Sequence, residues 1–109
     1  MALEALTVPR TLALLWLLAV GNARADELLA FVAEGCRPCQ AFKADAAADP
    51  GLAAPHTLRI LPATGREARA YGVKAVPTFV VIDGRREIAR RVGYRGAEDF
   101  RAWVDDLEP

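Results

Sequence analysis

The chain has 109 residues, 53% of them apolar, with 14 basic residues, 14 acidic residues and a single histidine. That length holds one domain at most, and the zero formal net charge suggests neither nucleic acid nor an anionic membrane surface as a partner. The two cysteines and His56 fall short of the roughly four ligands of a structural zinc site, so no metal is expected.

In chain order, Arg10 precedes an apolar run over residues 11–20, and Ala23-Arg24-Ala25 supplies a small-x-small cleavage pattern before Asp26. Residues 1–25 therefore read as a secretory signal peptide, because the apolar run is about half of the ~20 residues that a spanning helix needs. Left uncleaved, the same run would be a tether. Cleavage near Ala25 removes Arg10, Arg24 and Glu4 and leaves residues 26–109 as one domain with 12 basic and 13 acidic residues. Export places the cysteines where disulfides persist and where a dithiol stays reduced only with an electron donor.

Residues 28–33 are a continuous apolar run that predicts a strand buried on both faces of a partly parallel sheet. Gly35-Cys36-Arg37-Pro38-Cys39-Gln40 follows and holds both cysteines. Residues 40–48 predict a helix with Phe42 and Ala46 inward and Lys43 and Asp45 turned away, stopped by Asp49-Pro50-Gly51. After a short connection, in which His56 reads as a solvated residue, a second strand is expected over residues 57–61. Thr64-Gly65-Arg66-Glu67 has the form of a capping box ahead of a brief helix ending at Tyr71, with Gly72 as its left-handed C-cap.

Residues 76–82, Val-Pro-Thr-Phe-Val-Val-Ile, carry the strongest strand signal, and Asp83-Gly84 predicts a tight hairpin turn. The partner strand is expected over residues 87–92, with Ile88 and Val92 on its buried face. Phe100, Trp103, Val104 and Leu107 then recur at helical spacing, with Glu98 and Asp99 in the first turn where acids favour the dipole. Phe100 and Trp103 are expected to be core anchors.

A Cys-x-x-Cys between a strand and a helix is a redox signal with a mechanism. The first sulfur lies at the helix N-terminus, where unpaired N–H groups and the macrodipole stabilise a thiolate. The second lies one turn on, within reach of a mixed disulfide. Cys36 is thus the expected nucleophile and Cys39 the resolving thiol, with the charge of Arg37 and the first-turn position of Pro38 tuning the Cys36 thiol. A purely structural disulfide is the alternative, although so small a loop gains little chain entropy.

The order strand, helix, strand, short helix, strand, strand, helix resembles the thioredoxin family across residues 26–109. Cys36-Arg37-Pro38-Cys39 after the first strand and Val76-Pro77-Thr78 at the third carry the resemblance. It implies an α/β trimmed thioredoxin fold (β-α-β-α-β-β-α), a mixed sheet with helices on both faces. It also implies a cis Pro77 against the cysteines, and a groove of Val76, Pro77 and Gly93 that docks an extended partner segment. Three departures stand out: the family's additional first strand and helix have no counterpart, Gly35 replaces an aromatic residue, and Ala30 replaces an often-present buried acid. Glu34 is the acid nearby in sequence.

The ending from Gly93-Tyr94-Arg95-Gly96 to Phe100 is similar to small periplasmic thioredoxins encoded with bacterial sulfur-oxidation systems. The implied activity is a periplasmic thiol-disulfide oxidoreductase that reduces disulfides of exported proteins. No nicotinamide or flavin motif is present, so no cofactor is expected and a membrane electron donor would recharge it. A disulfide oxidase or isomerase, and a non-catalytic thioredoxin-fold binding module, are the competing readings. Without an obvious exposed apolar stripe, a monomer is expected. Arg85, Arg86, Arg90, Arg91 and Arg95 form a basic cluster, either a solvated hairpin edge or a docking patch for an acidic partner.

Overall fold

The computed structural model describes residues 26–107, and the signal-peptide reading of residues 1–25 lies outside the described residues. The elements are β1 (Asp26–Val32), α1 (Arg37–Ala48), β2 (Thr57–Pro62), α2 (Arg66–Ala70), β3 (Thr78–Asp83), β4 (Arg86–Val92) and α3 (Ala97–Asp105). This is the expected β-α-β-α-β-β-α order. The sheet runs β2-β1-β3-β4, with β1 parallel to β2 and antiparallel to β3, and β3 antiparallel to β4.

The pleat sends alternate residues of the central strands to opposite faces. Leu28 and Ala30 of β1 and Phe79 and Val81 of β3 point to one face, where Phe42 of α1 and Phe100 and Val104 of α3 cover them. Leu29, Phe31, Val80 and Ile82 point to the other, where Ala68 of the five-residue α2 is the buried helix residue. Phe100 is buried as expected and Trp103 packs, half-buried, at the edge of the same cluster.

The punctuation residues act locally. Asp49 ends α1, and its Oδ1 accepts the Gly51 N–H at 3.0 Å. The β3–β4 hairpin turns through Gly84-Arg85, flanked by the Asp83–Arg86 pair. Thr78 begins β3 directly after Pro77, which has no N–H to give to a ladder.

Three expectations fail, each through a contact between distant parts of the chain. The capping box does not form: Gly65 is the N-cap of α2 and makes no side-chain bond. Arg59 instead lies between Glu27 (3.3 Å) and Glu67 (3.2 Å), so the Glu67 carboxylate pairs with a guanidinium rather than reaching back to the start of α2. On β4, Ile88 and Val92 are exposed, at 42% and 58%. The register shifts beside Val81 and Ile82, so that Val81 pairs with Ala89 and Ile82 with Glu87, and Ile88 is the extra residue of a bulge. Ala89 and Arg91 then face the α1–α3 side. Asp45, expected to turn outward, is half-buried against Tyr94.

Candidate active site

β1 leads into a turn whose Gly35 holds φ at +76°, a left-handed conformation that would strain the aromatic residue usual there. This turn delivers Cys36 in extended geometry as the N-cap of α1. Cys36 and Cys39 form a disulfide with Cα atoms 5.2 Å apart, and the Cys36 Sγ accepts the Cys39 N–H at 3.2 Å. The Cys36 sulfur therefore sits where the first free amides of the helix converge. Cys36 is half-buried, whereas Cys39 is 0% exposed. Of the two cysteines, only Cys36 meets solvent. Arg37 and Pro38 are exposed in the first turn of α1, Pro38 at a position where a missing N–H leaves no bond unmade.

The sheet register brings a second set of residues to this end of the molecule. Phe31, near the end of β1, pairs with Thr78, and Thr78 pairs with Val92. Val76 and Pro77, just before Thr78, and Gly93, just after Val92, thus share the sheet end that leads into the cysteine loop. The Val76–Pro77 peptide is cis, Pro77 is buried and Val76 half-buried. The Gly93 N–H donates to the Pro77 carbonyl at 2.8 Å, and the φ of +95° at Gly93 turns the chain out of β4. Thr78, the one buried polar residue among the described residues, donates from Oγ1 to the Ala75 carbonyl at 2.7 Å.

Ala30 is fully buried between Ile60 and Phe79 of the neighbouring strands, so an apolar methyl occupies the place of the family's acid. Glu34 is exposed. It borders a cavity of about 570 Å³ beside the cysteine loop, lined also by Val32, Lys43, Ile60 and Leu61.

Sequence reasoning missed one polar pair. The Tyr94 hydroxyl donates to Asp45 Oδ2 at 2.5 Å, linking the β4–α3 loop to α1 across 49 positions of sequence. Burial, and then the bond to Asp45, push the Tyr94 phenol far above the usual tyrosine range. The sequence signal that could have found it is the three-residue spacing of Phe42 and Asp45, which sets the acid beside a core ring on the helix, where it needs a partner.

The basic cluster is largely neutralised. Arg90 bonds Glu87 at 2.7 and 2.8 Å and also the Tyr71 carbonyl, Arg91 pairs with Asp99, and Arg86 lies 3.9 Å from Asp83. His56 directs Nδ1 to the Ala53 carbonyl at 3.3 Å. Among the described residues no three His, Cys, Asp or Glu side chains converge as metal ligands, and no helix is long and apolar enough to cross a membrane.

A family model described as a thioredoxin-like domain matches residues 18–108. Among solved structures, the periplasmic thioredoxin SoxS from Paracoccus pantotrophus, in its reduced form, is similar at 30% identity. That match has a TM-score of 0.61 and covers 73% of this chain and 92% of that one. Thioredoxin from Fasciola hepatica is similar at 27% identity and a TM-score of 0.60, covering 84% of this chain and 88% of that one. A thioredoxin-fold protein from Helicobacter pylori, at 21% identity, a TM-score of 0.63 and coverage of 74% and 67%, shares the fold. No curated protein matches the sequence. A thioredoxin-like domain model over most of the chain, together with a helix-capping Cys36–Cys39 pair, supports thiol-disulfide oxidoreductase chemistry, and the chain belongs to the thioredoxin-like family.

Proposed function

We propose that this protein is a periplasmic reductant of disulfides in exported proteins. The observation that carries the reading is the asymmetry of the pair, with Cys36 half-buried at the N-cap and Cys39 fully buried behind it. In the reduced protein the Cys36 thiolate attacks one sulfur of a partner disulfide, forming the Cys36–partner bond and expelling the other partner sulfur as a thiolate. Cys39, deprotonated, then attacks the Cys36 sulfur, expels the second partner thiolate and closes the Cys36–Cys39 bond. Two electrons pass to the partner, whose thiolates take up protons. With Ala30 apolar and Glu34 exposed, solvent takes the Cys39 proton.

Arg37 and Pro38 tune the Cys36 thiol from the first turn of α1. Val76, Pro77 and Gly93 form the groove that receives an extended segment of the partner. A membrane electron donor returns the pair to the dithiol state, and the protein works as a monomer after cleavage near Ala25. The similarity to the periplasmic thioredoxin SoxS supports this compartment, and a place beside sulfur-oxidation systems rests on the resemblance of the ending from Gly93 to Phe100.

Reduction of insulin disulfides by dithiothreitol, with and without the protein, tests the reading. Wild type is expected to accelerate the reaction, and Cys36→Ser to fall to the uncatalysed rate while remaining folded, because serine is itself a good N-cap. A Cys36→Ser protein that is inactive only because it unfolds would instead support a structural disulfide in a binding module.

A further inference from the structure

Gly93 and Tyr94 are adjacent in sequence but tied to different elements. The Gly93 N–H holds the Pro77 carbonyl ahead of β3, and the Tyr94 hydroxyl holds Asp45 on the cysteine helix α1. Between these anchors the Tyr94 ring packs on Phe42 with centroids 5.4 Å apart and on Phe100 at 5.8 Å. Phe42 and Asp45 lie three residues apart on one face of α1, so ring and hydroxyl grip successive turns of the helix. Asp45 is the only acid on α1, and the Tyr94 phenol, its pKa raised above the usual range, stays a donor well beyond neutral pH.

We propose that Asp45 and Tyr94 are a positioning pair for partner binding, holding the Gly93 loop at a fixed distance from the cysteine helix. This rests on the docking groove of Val76, Pro77 and Gly93 proposed above. The loop carries one wall of that groove and α1 carries the attacking sulfur, and the hydroxyl–carboxylate bond is the direct polar link between them. A loosened loop presents the groove in several positions, so an extended protein segment binds more weakly. A small disulfide that needs only the Cys36 sulfur is unaffected.

Tyr94→Phe tests this, since it keeps the ring and removes only the hydroxyl. KM for insulin reduction is expected to rise about fivefold at unchanged kcat, the size one hydrogen bond supports. The rate with the small disulfide 5,5′-dithiobis(2-nitrobenzoate) and the reduction potential of the cysteine pair should stay at wild-type values. Asp45→Asn, which keeps an acceptor oxygen, should lose less than Asp45→Ala. An unchanged KM overturns the proposal, as does an equal loss with both substrates, because the pair would then act through the fold or the cysteines. If wild type itself fails to reduce insulin, the function proposed above fails instead.

Discussion

On one face of the sheet, Phe42, Phe79 and Phe100 meet with ring centroids 4.8 to 5.3 Å apart, and Tyr94 and Trp103 close the rim. On the other face, the five-residue α2 contributes Ala68, and β4 leaves Ile88 and Val92 in solvent. The cysteine helix stands on the first face. Its orientation therefore depends on the deep aromatic cluster, while the second face carries no proposed chemistry and is free to be shallow.

Breaking the deep face should produce the largest effect. Phe42→Ala removes the ring at the centre of the cluster, and a loss of about 3–5 kcal/mol is expected from urea unfolding. Leu29→Ala, equally buried on the shallow face, should lose about 2–3 kcal/mol, because thinner cover allows partial collapse around the vacated space. Equal losses would show that the two faces are packed alike.

A smaller effect separates the charged rim of β4 from both cores. The Arg90 hydrogen bond holds the Glu87 carboxyl below its ordinary value of 4.5, so this pair stabilises the fold above that pH. The contribution disappears as pH falls through the lowered value of the folded state. Each side chain is about one-third exposed, and Glu87→Gln should cost less than about 1 kcal/mol at neutral pH. The deficit relative to wild type should vanish in acid. A deficit unchanged by pH would mean that packing rather than charge holds the pair. Val92→Thr, at a site 58% exposed, should shift stability by no more than about 0.5 kcal/mol in the same assay.

The cysteine loop, a strand after Val76 and a hairpin turn at Gly84 were legible because each is a local pattern, although the strand runs Thr78–Asp83 rather than over 76–82 and the turn falls one residue later, at Gly84-Arg85. A β-branched run, a turn dipeptide and a Cys-x-x-Cys need no knowledge of the remaining chain. The buried face of β4 was not legible. The bulge at Ile88 changes which residues point inward, and it exists only in the pairing with Val81 and Ile82. Glu67 illustrates the same limit, since the Arg59 that claims it arrives from the neighbouring strand. Asp45 and Tyr94 reveal their relation only when α1 and the β4–α3 loop are folded together. Local chemistry pointed to the cysteine pair, and the Asp45–Tyr94 contact beside it came from long-range packing.

Whether Cys36 and Cys39 donate or accept electrons depends on the potential of the pair. The equilibrium reduction potential of the purified protein against glutathione tests the proposed reductant role most directly. A reductant is expected to show a value near the thioredoxin range, about −270 mV. A value near −120 mV would mean that thiolate stabilisation at Cys36 dominates and that the protein is a disulfide donor instead.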